Sequence, residues 1–298
     1  GLVDMTQLGL RVPPAFVLGL PVSEWCQTRG IRDGAFRQLI DEQIAGLEAR
    51  CEQRFGDPHN PLLVSVRSGA AISMPGAMAT ILNTGMTTGI RDAIARRHGT
   101  LFALTLYNRF LKNCMAAREL PMPLAGALGV DETRLRVENA HMATVLGKVL
   151  GPAFLSDPRE QLYTAIGLVF SSIDSPTARA YLQRFSDEVH PRTAVTVQKM
   201  VFGNKNSRCL SGVVLTRNPV TGRNQLFGEF KEQVQGEDVV MGNVITRPIQ
   251  ALGRGLRKEL QECKRRLEMR FNNALDIEFT VEDGVLYLLQ VRRARIGA

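Results

Sequence analysis

Aromatic residues are scarce in this chain, with one Trp and four Tyr among 298 residues. Surfaces that stack single-stranded nucleic acid need rows of them, so that class of function is set aside. The five cysteines (Cys26, Cys51, Cys114, Cys209 and Cys263) form no CxxC pair and are widely spaced. Neither a zinc site nor a disulfide framework follows from such spacing. Free thiols in a reducing cytoplasm are expected. No run of about 18 apolar residues is present, which excludes a hydrophobic membrane-spanning helix, and no signal peptide is expected. Internal repeats and low-complexity segments are also absent. The four histidines (His59, His98, His141 and His190) sit in no glycine-rich or serine-adjacent loop, and none is expected to be a catalytic nucleophile.

What is present is an ordinary globular composition, 44% hydrophobic and 22% charged, with a net charge of +8. Such a charge suits either an anionic partner such as a nucleotide or a solvated basic surface. The basic residues are scattered, with short clusters at Lys264-Arg265-Arg266 and Arg292-Arg293. The functional reading therefore belongs to individual arginines.

The first residues enter as a helix under way and leave through Leu10-Arg11-Val12-Pro13-Pro14, an extended exit set by proline. Further sequence upstream is expected. Phe36 to Arg54 follows a helical period, with Phe36, Leu39, Ile40, Ile44 and Leu47 on one side. Leu62 to Val66 reads as a buried strand. From about Thr87 to Glu188 the pattern is mostly helical. Ser156 or Asp157 is expected to cap one helix and Ser175-Pro176 to start another. After Pro191 the chain turns to short Val-, Thr- and Phe-rich strands separated by turns. One helix interrupts them at Leu252 to Asn272. A final hairpin turns at Glu282-Asp283-Gly284. The fold class is α+β, with a helix-rich lobe over residues 1–190 and a sheet-rich lobe over 191–298.

Three segments carry candidate chemistry. Val64 to Ala70, continuing from Ser73 to Thr80, reads as a strand ending at Arg67 and followed by a loop of small residues. Small residues bring backbone N–H groups close to phosphate oxygens, Gly76 permits positive φ, and an arginine adds forked donors. An ordinary strand-to-helix turn has the same composition. In the hairpin, strand alternation puts Asp276, Glu278 and Thr280 on one face, and Gln290 and Arg292 together on a face of the partner strand. Oxygens from a carboxylate and an amide suit Mg2+, and an arginine beside them suits phosphate. An exposed polar hairpin face reads the same way. The third segment, Val195 to Val201, is either a core strand or one whose backbone borders an adenine.

Together these segments resemble the N-terminal nucleotide-binding domain of the pyruvate phosphate dikinase family. The matching stretches are Leu63 to Ala70, Ser73 to Gly85, Val201 to Asn204, Ser211 to Gly222, Gln235 to Val240 and Asp276 to Arg292, in the family's order. The related phosphoenolpyruvate synthases and rifampin phosphotransferases share the lobe plan, but the SMPG loop and RNPVTG turn look more like the dikinase branch. The resemblance implies an ATP-grasp-like domain whose two lobes clasp ATP. It implies phosphate binding by Arg67, a phosphate cover around Gly76 and Thr80, and adenine beside Gln198. Glu278 and Gln290 would hold Mg2+–ATP with Asp276 nearby, and Arg292 would stabilise the phosphoryl group in flight. Arg67 and Arg292 are thus the expected catalytic residues.

In the family the β-phosphoryl of ATP passes to a histidine on a separate swivelling domain, giving AMP, and a third domain then makes phosphoenolpyruvate from pyruvate. The expected partners are ATP and those two domains, without nucleic acid or membrane, and with a homodimer left open. Three departures stand out. The family's phosphate-binding lysine lies before the stretch equivalent to Gly1. Ala71 replaces a usually basic residue, and Ala79 a usually acidic one. Two other readings remain: a stand-alone diverged phosphotransferase acting on another small molecule, and a degenerate ATP-binding regulatory module.

Overall fold

A computed structural model describes residues 1–70, 77–123, 131–183, 192–242 and 244–294. Ala71, Gly76 and His190 lie outside them. The first elements in chain order are α1 (Leu2–Gln7), β1 (Ala15–Leu18), α2 (Leu20–Arg29), α3 (Gly34–Cys51), β2 (Arg54–Phe55), β3 (Pro61–Leu62), β4 (Val64–Ala70) and β5 (Thr80–Thr84). A helical stretch follows: α4 (Thr88–His98), α5 (Thr100–Ala117), α6 (Glu132–Leu150), α7 (Ala153–Ser156), α8 (Pro158–Ser171) and α9 (Pro176–Leu182). The remainder is β6 (Thr193–Lys199), β7 (Leu210–Leu215), β8 (Phe227–Glu232), α10 (Gly236–Val240), β9 (Arg247–Pro248), α11 (Arg254–Phe271), β10 (Leu275–Glu282) and β11 (Val285–Arg293). The α+β class is as expected. Among the described residues no helix is long and apolar enough to cross a membrane.

The chain forms two compact units, Pro14–Met200 and Gly1–Pro13 with Val201–Ala298. This differs at both ends from a division near Pro191. Met5 and Leu10 are buried with the core of the second unit, and the Arg11 carbonyl accepts from the Leu288 amide at the edge of β11. Strand β6 belongs to the first unit because it pairs along all seven residues with β4.

In the Pro14–Met200 unit an antiparallel sheet runs in the order β1-β6-β4-β5. Helix α8 packs on β4, β5 and β6. Val64, Val66, Val195 and Val197 are buried. Five helices among the described residues start where short polar side chains satisfy their first amides. Asp33, Thr87, Asp131, Asp157 and Ser175 each accept from an N–H of the first turn. Such caps contribute about 1 kcal/mol each. Pro158 and Pro176 follow two of them at the first helical position, where the missing N–H costs nothing. Phe110 of α5 stacks on Phe154 of α7 with centroids 5.6 Å apart, both buried.

In the other unit a five-stranded antiparallel sheet runs β11-β10-β7-β8-β9. Leu260, Cys263 and Leu267, one turn apart on α11, are buried in one core with Leu275, Ile277, Phe279 and Val281 of β10. This is the stripe that the helical period requires. The β10–β11 turn is Asp283-Gly284, both at positive φ (52° and 87°). That pair of conformations joins two strands through two residues, and Asp-Gly adopts it readily.

Candidate functional site

On β4 the ladder continues past Arg67 to Ala70, because Ser68, Gly69 and Ala70 stay paired with Val195, Ala194 and Thr193 of β6. Arg67 therefore sits within a strand, not at its end. A strand residue is held on both sides, so its guanidinium starts from a fixed point. Arg67 lies opposite Thr196 on one neighbour and opposite Thr80 on the other. Ser65 lies opposite Gln198 in the adjacent row. The face away from the valine core thus carries Ser65, Arg67, Thr80, Thr196 and Gln198.

These side chains touch. Arg67 Nη2 donates to Gln198 Oε1 at 2.9 Å, and Arg67 Nε reaches Ser65 Oγ at 3.4 Å. Ser65 Oγ donates in turn to the Gln198 carbonyl at 3.4 Å. Gln198 is buried. Arg67 and Gln198, expected to meet phosphate and adenine, are thus one hydrogen-bonded group. Ser65, which joins them, carried no sequence signal beyond its place two residues before the arginine.

The segment leading into β5 is pinned by the α8–α9 junction. The Ala79 amide donates to Ser172 Oγ at 3.1 Å, and Ser175 Oγ donates to the Ala77 carbonyl at 3.4 Å. These bonds fix the approach to Thr80. Beyond it, Asn83-Thr84-Gly85 is scaffold. Asn83 is fully buried at φ 58° and donates from Nδ2 to the Leu106 carbonyl at 3.0 Å. Gln161 accepts from the Gly85 amide and donates to the Met86 carbonyl. A Cβ at Gly85 would lie 2.7 Å from the Phe55 ring. Glycine is required there by close packing as well as by its φ of 100°.

On the hairpin of the second unit, Asp276 lies opposite Arg292 and Glu278 opposite Gln290. Ile277 and Phe279 point into the core, as alternation requires. The register then shifts at Glu278/Phe279, and Phe279 pairs with Leu288, leaving Leu289 as an extra residue. This β-bulge matters. Leu286 and Leu288 are core residues, and strict alternation from them would also bury Gln290 and Arg292. The extra residue turns both onto the carboxylate face while Val291 returns to the core. Sequence reading paired the two residues correctly but gave no sign of the bulge.

The result is a close polar cluster. Arg292 Nη2 donates to Glu278 Oε1 at 2.7 Å and to Gln290 Oε1 at 2.7 Å. The Glu278 side chain is only 15% exposed. Burial raises the Asp276 carboxyl above its ordinary range, with the Arg292 charge opposing the shift. Charge-assisted bonds of this kind are short and roughly twice as strong as neutral ones.

The far end of the hairpin is tied down by the 203–209 loop. Lys205 Nζ donates to Asp283 Oδ2 at 2.7 Å, and Asn206 Nδ2 to Asp283 Oδ1 at 2.5 Å. Hydrogen bonds from Lys205 and Asn206 hold the Asp283 carboxyl below its usual value. The loop lies tight against β7. A Cβ on Gly203 would meet Ser211 Oγ at 2.1 Å and the Val234 carbonyl at 2.4 Å. These braces were not foreseen from the sequence.

Thus Arg67, Thr80 and Gln198 share one sheet face, and Asp276, Glu278, Gln290 and Arg292 share another. The model of the pyruvate phosphate dikinase AMP/ATP-binding domain matches residues 27–254. The chain belongs to that family. It is similar to rice pyruvate, phosphate dikinase 1, chloroplastic (Oryza sativa subsp. japonica), with 35% identity over 99% of this chain and 33% of the relative. Maize (Zea mays) pyruvate, phosphate dikinase 2 is 35% identical over 99% of this chain and 35% of the relative. The chloroplastic dikinase of Mesembryanthemum crystallinum is 36% identical over 99% and 33%. The chain spans about a third of the length of these dikinases. The family match ends before β10, so the carboxylate hairpin stands on the longer pairwise similarity and on its own geometry.

Proposed function

We propose that this chain is the ATP-binding, phosphoryl-donating domain of a pyruvate phosphate dikinase-like phosphotransferase. The β-phosphoryl of ATP passes to a histidine on a separate domain, leaving AMP, on the way to phosphoenolpyruvate. The observation that carries the reading is the convergence of Arg292, Glu278 and Gln290 on one point, in a chain of this family. An ATP-grasp-like likeness, a cytoplasmic setting and a separate pyruvate-binding domain belong to the same reading.

Phosphoryl transfer asks little covalent chemistry of the protein. It asks for positioning and for positive charge where negative charge gathers. Arg67, fixed on β4, supplies forked donors to phosphate oxygens. Thr80, in the opposite position on β5, adds a hydroxyl beside it, and Gly76 belongs to the segment that covers the phosphates. Gln198, whose oxygen accepts from Arg67, lies beside the base in this reading. Arg292 supplies charge to the phosphoryl group in flight.

The donor set fits Mg2+. Glu278 Oε1 and Gln290 Oε1 both lie 2.7 Å from one positively charged nitrogen, so the two oxygens converge where a cation is favoured. No cluster of three or more His, Cys, Asp or Glu occurs among the described residues. A two-oxygen protein contribution suits an ion that keeps phosphate and water in most of its shell. Glu278 and Gln290 would hold the ion, with Asp276 beside them. The ion would neutralise the phosphate oxygens.

Calorimetric titration with Mg2+ and a non-hydrolysable ATP analogue tests the binding half of this reading. Arg67→Ala and Glu278→Ala should each weaken binding by roughly tenfold or more, as expected for loss of a charge-assisted contact. Unchanged binding in both would refute it.

A further inference from the structure

Arg292 and a metal ion compete for one place. Nη2 of Arg292 stands 2.7 Å from both Glu278 Oε1 and Gln290 Oε1. A Mg2+ ion held by both oxygens would lie about 2.1 Å from each. Nitrogen and ion would then occupy the same notch between the oxygens, and two cations cannot share it. The ion can enter only if the guanidinium leaves.

The surroundings allow that exchange. The Arg292 side chain is 32% exposed, whereas Glu278 is 15% exposed. The arginine can swing outward, and the carboxylate is held by its strand. A half-buried carboxylate facing an amide oxygen is costly without a cation between them. Arg292 meets that requirement from within the chain.

We propose that Arg292 is an internal placeholder cation, which occupies the position between the Glu278 and Gln290 oxygens and is displaced when Mg2+ draws them together. The inference rests on the Mg2+ assignment above. It adds a coupling. Seating the metal releases the guanidinium, and nucleotide phosphates give it a new partner. Metal alone binds weakly, and metal and nucleotide promote each other's binding by the same factor.

Manganese, a paramagnetic substitute for magnesium, provides the probe. Free Mn2+ is measured by electron paramagnetic resonance in titrations of the wild-type chain, Arg292→Met, Glu278→Gln and the double variant, without nucleotide. Arg292→Met should bind Mn2+ roughly tenfold or more tightly than wild type, since no charge-assisted bonds must be broken first. The gain should survive 0.5 M KCl, which screens only repulsion acting over more than roughly 4 Å. The gain should be lost in the double variant. Equal affinity of wild type and Arg292→Met at a site that Glu278→Gln abolishes would overturn the placeholder and leave the metal assignment standing. A gain that vanishes with salt would overturn it too. No Mn2+ binding in any of the four would remove the metal assignment and the placeholder with it. If Arg292→Met fails to fold, the wild-type chain decides: the Arg292 side-chain 15N resonance, identified by its loss in Arg292→Lys, should move on saturation with Mg2+. An unmoved resonance overturns the exchange.

Discussion

Arg67 and Gln198 hold each other across neighbouring strands, through a 2.9 Å bond from Nη2 to Oε1. The bond orients the amide, because only its oxygen can accept from the guanidinium, which fixes which end faces Arg67. Gln198→Glu keeps an acceptor for Arg67 but replaces the amide NH2 with a charged oxygen. Nucleotide affinity should fall several-fold while the fold is retained, as calorimetry and thermal melting can establish. A double-mutant cycle of Arg67→Ala with Gln198→Ala should show coupling of about 1–2 kcal/mol in nucleotide binding. Additive effects would mean that the bond plays no part in it.

Gly212 tests how closely β7 approaches the strand that carries Glu278. A Cβ there would meet the Phe279 ring at 2.5 Å and the Glu229 carbonyl at 2.7 Å. A ring can shift a little, but a backbone carbonyl in a ladder cannot. Gly212→Ala should therefore cost about 1–3 kcal/mol of stability in denaturant unfolding.

Asn83 should prove structural. Asn83→Ala leaves the buried Leu106 carbonyl without the Nδ2 donor and puts alanine at φ 58°. The expected loss is roughly 2–3 kcal/mol. A neutral substitution would show that the Asn83 side chain contributes nothing to packing.

Asp283 gives a pH signature. Its carboxyl is held below the ordinary aspartate range by hydrogen bonds from Lys205 and Asn206. A carboxyl lowered in the folded state stabilises above its unfolded pKa, and that stabilisation fades as pH falls through the lower folded value. About a third of the side chain is exposed, which screens the pair. Asp283→Ala should be destabilised by roughly 1 kcal/mol at neutral pH, and much of that gap should close at the acid end of the titration. A gap of constant size between pH 7 and the acid limit would show that the ion pair contributes nothing.

Much of the frame was legible because periodicity reflects burial directly. The α3 and α11 stripes, the caps at Asp157 and Ser175, and the Asp-Gly hairpin all follow from local chemistry. The facing of Asp276 and Glu278 was legible for the same reason. What stayed hidden depends on distant partners. The extension of β4 past Arg67 needs β6, more than 120 residues on. The Leu289 bulge has no composition signal, since Leu288-Leu289 reads as plain strand. The attachment of Met5 and Leu10 to the later unit depends on which core their apolar surface finds. Lys205 and Asp283 are 78 residues apart.

The central claim is that the hairpin cluster supports phosphoryl donation. It is tested most directly by following AMP formation from ATP in the full-length protein, comparing wild type with Glu278→Ala and Arg292→Ala. The account predicts AMP from the wild type and almost none from either variant, with both variants folded by circular dichroism. AMP formation at the wild-type rate in either folded variant would contradict it.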